Sequence, residues 1–431
     1  MMENLKEKLN LFSLGKEEPA WFLEKRQEAL ALIDTLKLPS FQRAKYNDFK
    51  LLNQPLAEND FETSEELSAN ILPDFLGMEN QPFLFQTDSV TNFSQLPQDL
   101  IDAGVIFCDL QSAIADYPEL VKKYYMTTAV KADENKLTAF HSAFVDNGSF
   151  LYVPDNVEIK EPIEVVFAQT ATNRAYVKHV LIVAGRNAKF SYLERFIAPT
   201  ESEVEISANI IAEVIAGPGS TVKYSAMDQL GKNVTAYVNR RGYLLKDAMI
   251  DWAIGVMSDG NILADFDTDL VGDGAHSEIK AVAISSGQQK QIIDTRVTNK
   301  APHTVGHILQ HGVIMDQATL TFNGIGHILK GAHGSDAQQE SRVLMLSDGA
   351  RGDANPILLI DDNDVTAGHA ASVGQLDPSE LYYLMSRGLK EDQAQRLVIR
   401  GFLGSVITAI PVKKTRDEFI EVIEGKLHAE I

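Results

Sequence analysis

The stretch HVLIVAGRNAKFSYLERF (residues 179–196), followed by STVKYSAMD (220–228), AMIDWAIGVM (248–257) and HSEIKAVAIS (276–285), decides the fold. Each run is short, alternating and rich in Val, Ile, Tyr and Thr, and turns carrying Gly, Asp, Asn and Pro bound it. Similar runs continue on both sides: SFLYVPD before, and ATLTFNGIGHI, SRVLMLS and PILLIDDNDV after. No helical pattern interrupts them over about two hundred residues. A polar turn residue, then a small residue, then a strand recurs at Ala188, Ser220, Ala248, Ala275, Ala318 and Ala350, at intervals of 32, 28, 27, 43 and 32. A second strand fills each gap, as in EISANIIAEV, NVTAYVNRRGYLL and NILADFDTDL. Two strands and two turns in about 30 residues make one coil of a solenoid, whose inner face is buried only by stacking on its neighbours. An antiparallel sandwich of hairpins is the competing arrangement. The small residue recurring at one point of each unit favours the solenoid.

The flanks differ. Residues 1–150 mix helix and strand signals and form an α/β domain. Glu18-Pro19-Ala20-Trp21 opens a helix whose Phe22, Arg26, Ala29, Leu30, Ile33 and Leu36 share one face, and Pro39 ends it. Residues 151–376 are the β core. Residues 377–431 are helical: Asp377-Pro378-Ser379-Glu380 carries an N-cap, a first-turn proline and a capping-box Glu, and Gly388 stops the helix. A second helix places Ala394, Leu397, Val398, Gly401, Phe402, Ser405, Val406 and Ala409 on one stripe and ends at Pro411. Thr415 and Glu418 cap a third, with Phe419, Ile420, Ile423 and Leu427 as its apolar face. This helical part either caps the open end of the solenoid or docks another protein.

Composition excludes several functions. With 39 Lys and Arg against 60 Asp and Glu, the net charge of −21 opposes nucleic acid and anionic lipid. From Lys50 to Lys122 there is no basic residue between and 13 acidic ones, which predicts a solvated acidic face on the α/β domain. The opening MMENLKEKLN has no apolar core of a signal peptide, and no run is long and apolar enough for a membrane span, so a cytoplasmic location is expected. The lone Cys108, in the apolar run GVIFCDL, is expected to be buried and inert. No phosphate loop, nucleophile elbow or His-Glu-x-x-His zinc motif occurs. Asp265, Asp267 and Asp269 fail as a calcium loop, because Leu270 and His276 stand where Gly and Glu are needed; they read as one solvated strand face. Five of the ten histidines lie between His303 and His333. Steps of four keep His303, His307 and His311 on one face, where they are either metal ligands or ordinary wall residues without a flanking carboxylate. His369 stands among Ala367, Gly368, Ala370, Ala371 and Ser372, which leave room around the imidazole or serve a tight turn.

The run from Gln338 to Thr408, with HAASVGQLD (369–377) followed by LYYLMSRG (381–388), resembles the SufB/SufD family of iron–sulfur cluster assembly proteins, and within it the SufD branch. EPAWFLEKRQEAL (18–30) and LPSFQRAKYND (38–48) are similar to the family's N-terminal segments. The resemblance implies a mainly β fold: a right-handed parallel β-helix core between an N-terminal α/β domain and a C-terminal helical domain. It implies a non-catalytic scaffold in a SufB–SufC–SufD complex, pairing with a SufB-like paralogue and docking a SufC-like ATPase that supplies the nucleotide chemistry. A homodimer is the state open to the chain without those partners. By position, His369 matches the family histidine at the SufB interface, a candidate iron ligand. Tyr382, Tyr383, Met385, Arg387 and Gly388 match the helix that meets SufC. Some relatives carry a cysteine where this chain has Ala367, so a cysteine–histidine pair is excluded here. With one thiol the isolated chain is expected to hold no stable cluster or other cofactor, only transient iron or a nascent cluster shared with SufB. Two other classes would fit a β-solenoid: a carbohydrate-active enzyme, which needs a groove of acids and aromatics, and a purely structural solenoid.

Overall fold

In the computed structural model, residues 2–53, 81–171, 174–198, 203–408, 410 and 413–430 are described. Much of the predicted acidic face, residues 54–80, lies outside them, as does Pro411. The core is a parallel β-solenoid built by sixteen strands, from β4 (Asn147–Val153) to β19 (Thr366–Gln375), which alternate between two sheets. The odd sheet runs β19-β17-β15-β13-β11-β9-β7-β5 and the even sheet β18-β16-β14-β12-β10-β8-β6-β4. The sandwich is thereby excluded, because these neighbours pair in parallel. At the N-terminal end the hairpin β1 (Phe83–Thr87) and β2 (Val90–Gln95) extends the odd sheet, and β3 (Ile106–Asp109) lies antiparallel on β4. The apolar runs FLF and GVIF therefore close the solenoid at this end.

One corner explains the repeat. Just before β7 (Lys189–Ile197), β9 (Thr221–Gln229), β11 (Met249–Val256), β13 (His276–Ser285), β15 (Val305–Ile314) and β17 (Asp336–Met345), the residues Asn187, Gly219, Asp247, Gly274, His303 and Gly334 have φ between 53 and 70°. This left-handed region favours Gly, Asn and Asp. Side-chain residues alternate with glycines because the space is shared: a Cβ on Gly219, Gly274 or Gly334 would lie 2.4 Å from the Asn187, Asp247 or His303 side chain below it. The next residue, Ala188, Ser220, Ala248, Ala275, Thr304 or Ser335, is buried. The interval of 43 is a change of corner: Thr304 and Ser335 continue the first series, whereas Ala318 and Ala350 precede β16 (Thr319–Ile328) and β18 (Arg351–Ile360) of the even sheet. His303 thus sits in a corner and does not share the strand face of His307 and His311.

The interior is apolar over most coils, with Tyr192, Tyr224 and Trp252 stacked coil upon coil at centroid spacings of 5.4 and 4.7 Å. It also encloses an ion triad. Arg240 on β10 (Val234–Leu244) donates to Glu194 and Asp228 at 2.6–2.9 Å through its terminal nitrogens, all three fully buried. On the outer face, Asp265, Asp267 and Asp269 alternate along β12 (Ile262–Leu270) as expected, but they are paired: Arg241 lies 3.7 and 3.5 Å from the first two, and Lys300 2.8 Å from the third.

Helices α1 (Met2–Gly15) and α2 (Ala20–Ile33) are followed, after the hairpin, by α3 (Gln98–Asp102), α4 (Leu110–Asp116), α5 (Pro118–Tyr124) and α6 (Lys136–Phe144). α2 buries Phe22, Arg26, Ala29 and Leu30, and it ends at Ile33, earlier than Pro39. Arg26 donates to the Ala143 and Val145 carbonyls at the end of α6, at 2.9 and 2.7 Å, and pairs with Glu18. This satisfies carbonyls that a helix C-terminus leaves open.

A buried polar chain ties this region to the solenoid. Asn209 donates its Nδ2 to Leu137 O at 2.9 Å, so its Oδ1 accepts from His141 Nδ1 at 3.0 Å. His141 Nε2 then accepts from His179 Nδ1, also at 3.0 Å, and His179 Nε2 is left facing Glu213 Oε1 at 3.3 Å. Glu213 already accepts the Met126 and Val130 amides at 2.6 and 2.9 Å. Two acceptors face each other unless a proton lies between them, so the pair holds one. Burial pushes the Glu213 carboxyl up to about 7, against those amides, and lowers His179 to about 3.

At the C-terminus follow α7 (Pro378–Ser386), α8 (Glu391–Thr408) and α9 (Lys413–Glu430). They do not cap the solenoid. Ile399, Leu403, Val406, Phe419 and Ile423 pack against Met227, Ala253, Val282 and Val313 on the outer wall of the odd sheet. α9 begins before Thr415, which is buried within it, and Glu418 pairs with Arg195.

Candidate functional site

The C-terminal end of the solenoid is open. β18 and β19 are the last strands of their sheets, and among the described residues nothing pairs with their outer edges. His369 lies within β19, not in a turn. Its register partners are Gln339 on β17 and, beyond it, Ile308 on β15. Ile308 belongs to the interior, so His369 points toward the lumen of the final coil. No further coil covers it, and it is exposed, its imidazole making no hydrogen bond to the described residues. The interior turns polar toward this mouth: Gln310 donates to Thr295 at 2.7 Å, Ser341 to Gln310 at 2.9 Å, and Gln339 to Ile357 O at 2.9 Å. Around the mouth, Leu359, Ile360 and Val373 are exposed hydrophobics.

The second surface is α7. Asp377 accepts the Ser379 amide at 2.8 Å, Pro378 occupies the first turn, and Gly388 takes φ 96° beyond the helix. Gly388 is thus explained by the left-handed stop. The helix buries none of its residues. Tyr382 is 75% exposed and Tyr383 56%, Met385 is also exposed, and the Arg387 guanidinium lies 5.1 Å from the Tyr383 ring centre. These residues do not form a core-facing stripe. Between α7 and α8 runs a groove of about 860 Å³, lined by Leu344, Leu376, Tyr383, Leu384, Val398 and Phe402 among others. α8 has two apolar faces: Ile399 and Leu403 bury against the wall, while Leu397, Val398, Gly401 and Phe402 line the groove.

A third group lies on the outer wall of the odd sheet. His276 Nε2 and His307 Nδ1 stand 2.8 and 3.0 Å from the same oxygen of Glu278. His307 Nε2 is 3.3 Å from Asp336 Oδ2, and Gln338 donates to the other Asp336 oxygen at 2.8 Å. Partial burial pushes the Glu278 carboxyl up, but the hydrogen bonds of His276 and His307 outweigh it and hold it at about 2. The bond to Glu278 raises His307. His311 is buried by α8, stacked on Phe402 at 4.9 Å, with Nε2 3.2 Å from Glu340. Cys108, on β3, is half-buried, and burial, aided by Asp109 and Asp116, pushes its thiol up to about 12.

Residues 167–402 match the family model described as "SUF system FeS cluster assembly, SufBD core domain", and residues 10–165 match "SufBD protein N-terminal region". The chain is 42% identical to the iron–sulfur cluster assembly protein SufD of Bacillus subtilis, over 98% of this chain and 97% of that one. The chain belongs to the SufBD family. More distant members include SufBD family proteins of Staphylococcus saprophyticus, 27% identical over 92% of this chain and 88% of its own, and of Staphylococcus epidermidis, 26% identical over the same shares.

In this SufBD chain the residues singled out from sequence occupy two places. His369 lies on the open solenoid end, while Tyr382, Tyr383, Met385, Arg387 and Gly388 lie on and just after α7; His369 does not line the groove. Sequence reasoning missed Glu278, Asp336 and Glu340, the carboxylates that meet His307 and His311. Each lies 29 residues from its histidine, one coil away, so the signal was an acid at the repeat interval and not in the flanking sequence. Among the described residues no helix is long and apolar enough to cross a membrane.

Proposed function

We propose that this chain is a SufD-like, non-catalytic scaffold subunit for iron–sulfur cluster assembly, which pairs through its open solenoid end with a SufB-like paralogue and presents α7 to a SufC-like ATPase. The observation that carries the reading is the pair of unsatisfied edges, β18 and β19, with His369 and exposed Ile360 and Val373 between them. Unpaired edges recruit further strands, and a second solenoid of the same kind supplies them in register. α7 supports the other contact: its exposed Tyr, Met and Arg side chains are the types that anchor interfaces.

Iron and sulfide are cargo in this scheme. A cluster commonly takes four thiolates, and this chain has the single Cys108, on β3 near the opposite end of the solenoid. His369 offers one imidazole to a site whose thiolates come from the paralogue. The test is co-purification from cells expressing all three subunits. Val373→Lys places a charge on the apolar rim of the mouth and is expected to lose the paralogue while keeping the ATPase. Tyr383→Ala with Arg387→Ala is expected to lose the ATPase while keeping the paralogue. Unchanged capture of both partners by both variants would overturn the assignment.

A further inference from the structure

We infer that His276, Glu278 and His307 form a binding site for a single divalent ion of the borderline class (Fe²⁺, Co²⁺, Ni²⁺ or Zn²⁺) on the outer wall of the solenoid. Asp336 orients His307 toward it. The inference does not rest on the assembly role proposed above.

The backbone brings these groups together before any ion arrives. His276 and Glu278 are two apart on β13 and so share its outer face, and Glu278 is in direct register with His307 on β15. The three donor atoms lie within 4.8 Å of one another, and both imidazole nitrogens already converge on one carboxylate oxygen. An ion held at about 2.1 Å by nitrogen and oxygen donors separates adjacent donors by about 3.0 Å in octahedral and about 3.4 Å in tetrahedral geometry. The observed 2.8 and 3.0 Å need to open by at most about 0.2 Å for octahedral and about 0.4–0.6 Å for tetrahedral geometry, within the reach of side-chain torsions.

The surroundings complete the arrangement. Asp336 holds the distal nitrogen of His307, leaving Nδ1 directed at Glu278, and Gln338 holds Asp336 in turn. A metal-bound imidazole characteristically has such a carboxylate behind it. Lys280, next on the same face, is engaged by Asp251 at 2.5 Å, so its charge is balanced. Two imidazoles and a carboxylate exclude the all-oxygen preference of Mg²⁺ and Ca²⁺, and the set has no thiolate to favour Cu⁺. The side chains of His276, Glu278 and His307 remain 35, 26 and 33% exposed, so the remaining coordination positions face water or an exchangeable ligand. The row Glu278–His307–Gln338–Gly368 runs across the sheet to β19, which places the site about 10 Å from the edge strand that carries His369.

The full-length chain, freed of metal by chelation and gel filtration, is titrated with Co²⁺ while its visible d–d absorption is followed, and with Zn²⁺ by calorimetry. One saturable ion per chain is expected. His276→Ala and His307→Ala should each weaken it by at least about tenfold, and Asp336→Asn by about 10–100-fold. His369→Ala, on another face, should leave it unchanged. Far-UV circular dichroism of each variant confirms the fold, and His307→Gln serves should the alanine variant fail to fold. Absence of a stoichiometric site in the wild type, a site that survives loss of His307, or a site abolished by His369→Ala would each overturn the inference.

Discussion

Glu213→Gln tests the buried proton that joins the N-terminal helices to the solenoid. Glu213 has an ordinary value of 4.5 and is raised to about 7 in the folded chain, first by burial. A carboxyl raised by folding binds its proton more tightly in the native state, so its contribution to stability falls as pH rises from about 4.5 to about 7 and stays low above that. At about 1.4 kcal/mol per pH unit the full loss is about 3 kcal/mol. Roughly 1 kcal/mol of it lies below about pH 5.5, so about 2 kcal/mol remains between about pH 5.5 and about pH 8.5. Glutamine does not titrate. His179, lowered to about 3, contributes with the opposite sign but is present in both proteins and cancels in the difference. Glutamine also directs an N–H at one of the Met126 and Val130 amides, a fixed offset of about 1–3 kcal/mol at every pH. The positive charges of Lys25 and Arg241, which pull the carboxyl down, are also common to both. Urea denaturation followed by circular dichroism, at several pH values in that window, gives the difference directly. The variant should gain on the wild type by about 2 kcal/mol as pH rises. A difference that stays flat across the window, or that shrinks with pH, would refute the shared proton.

The other predictions concern single interior groups. Arg240→Met leaves the Glu194 and Asp228 carboxylates buried together without their cation, and should cost about 3–5 kcal/mol, read from the denaturation midpoint; a loss under about 1 kcal/mol would contradict the buried triad. Cys108, held at about 12 against an ordinary 9.0, carries about a thousandfold less thiolate than a free cysteine. Because a thiolate of higher pKa is also more nucleophilic, it should react with a disulfide reagent about 30- to 60-fold more slowly in the native chain than in urea, and comparable rates would show the thiol to be accessible.

The solenoid was legible because its corners constrain residue type. Asn187, Gly219, Asp247 and Gly274 must adopt a left-handed backbone, and the buried residue after each must be small, so composition alone marks the coils. The series faltered where Thr304 and Ser335 fill the small position behind His303 and Gly334, and where the second corner offers the same pattern at Ala318. Spacing along one strand could not supply the partners of His307 and His311, because in a solenoid the nearest neighbour across the ladder is 29 residues away. α8 misled for another reason: it buries one stripe against the wall and offers a second to the groove, and the sequence does not rank two apolar stripes on one helix. His369 was found by resemblance; its position on an uncovered coil depends on where the stack of strands stops, which no local pattern encodes.

The asymmetry between the two ends has a consequence for durability. The first coil is clamped by the β1–β2 hairpin and β3, and the next two coils are tied down by the buried polar chain, whereas among the described residues the last two strands each have a neighbour on one flank. Fraying must therefore begin at β19, and it can proceed inward coil by coil without disturbing what lies beneath. The part of the molecule that melts first is also the rim that carries His369, so the chain by itself is weakest at its own mouth.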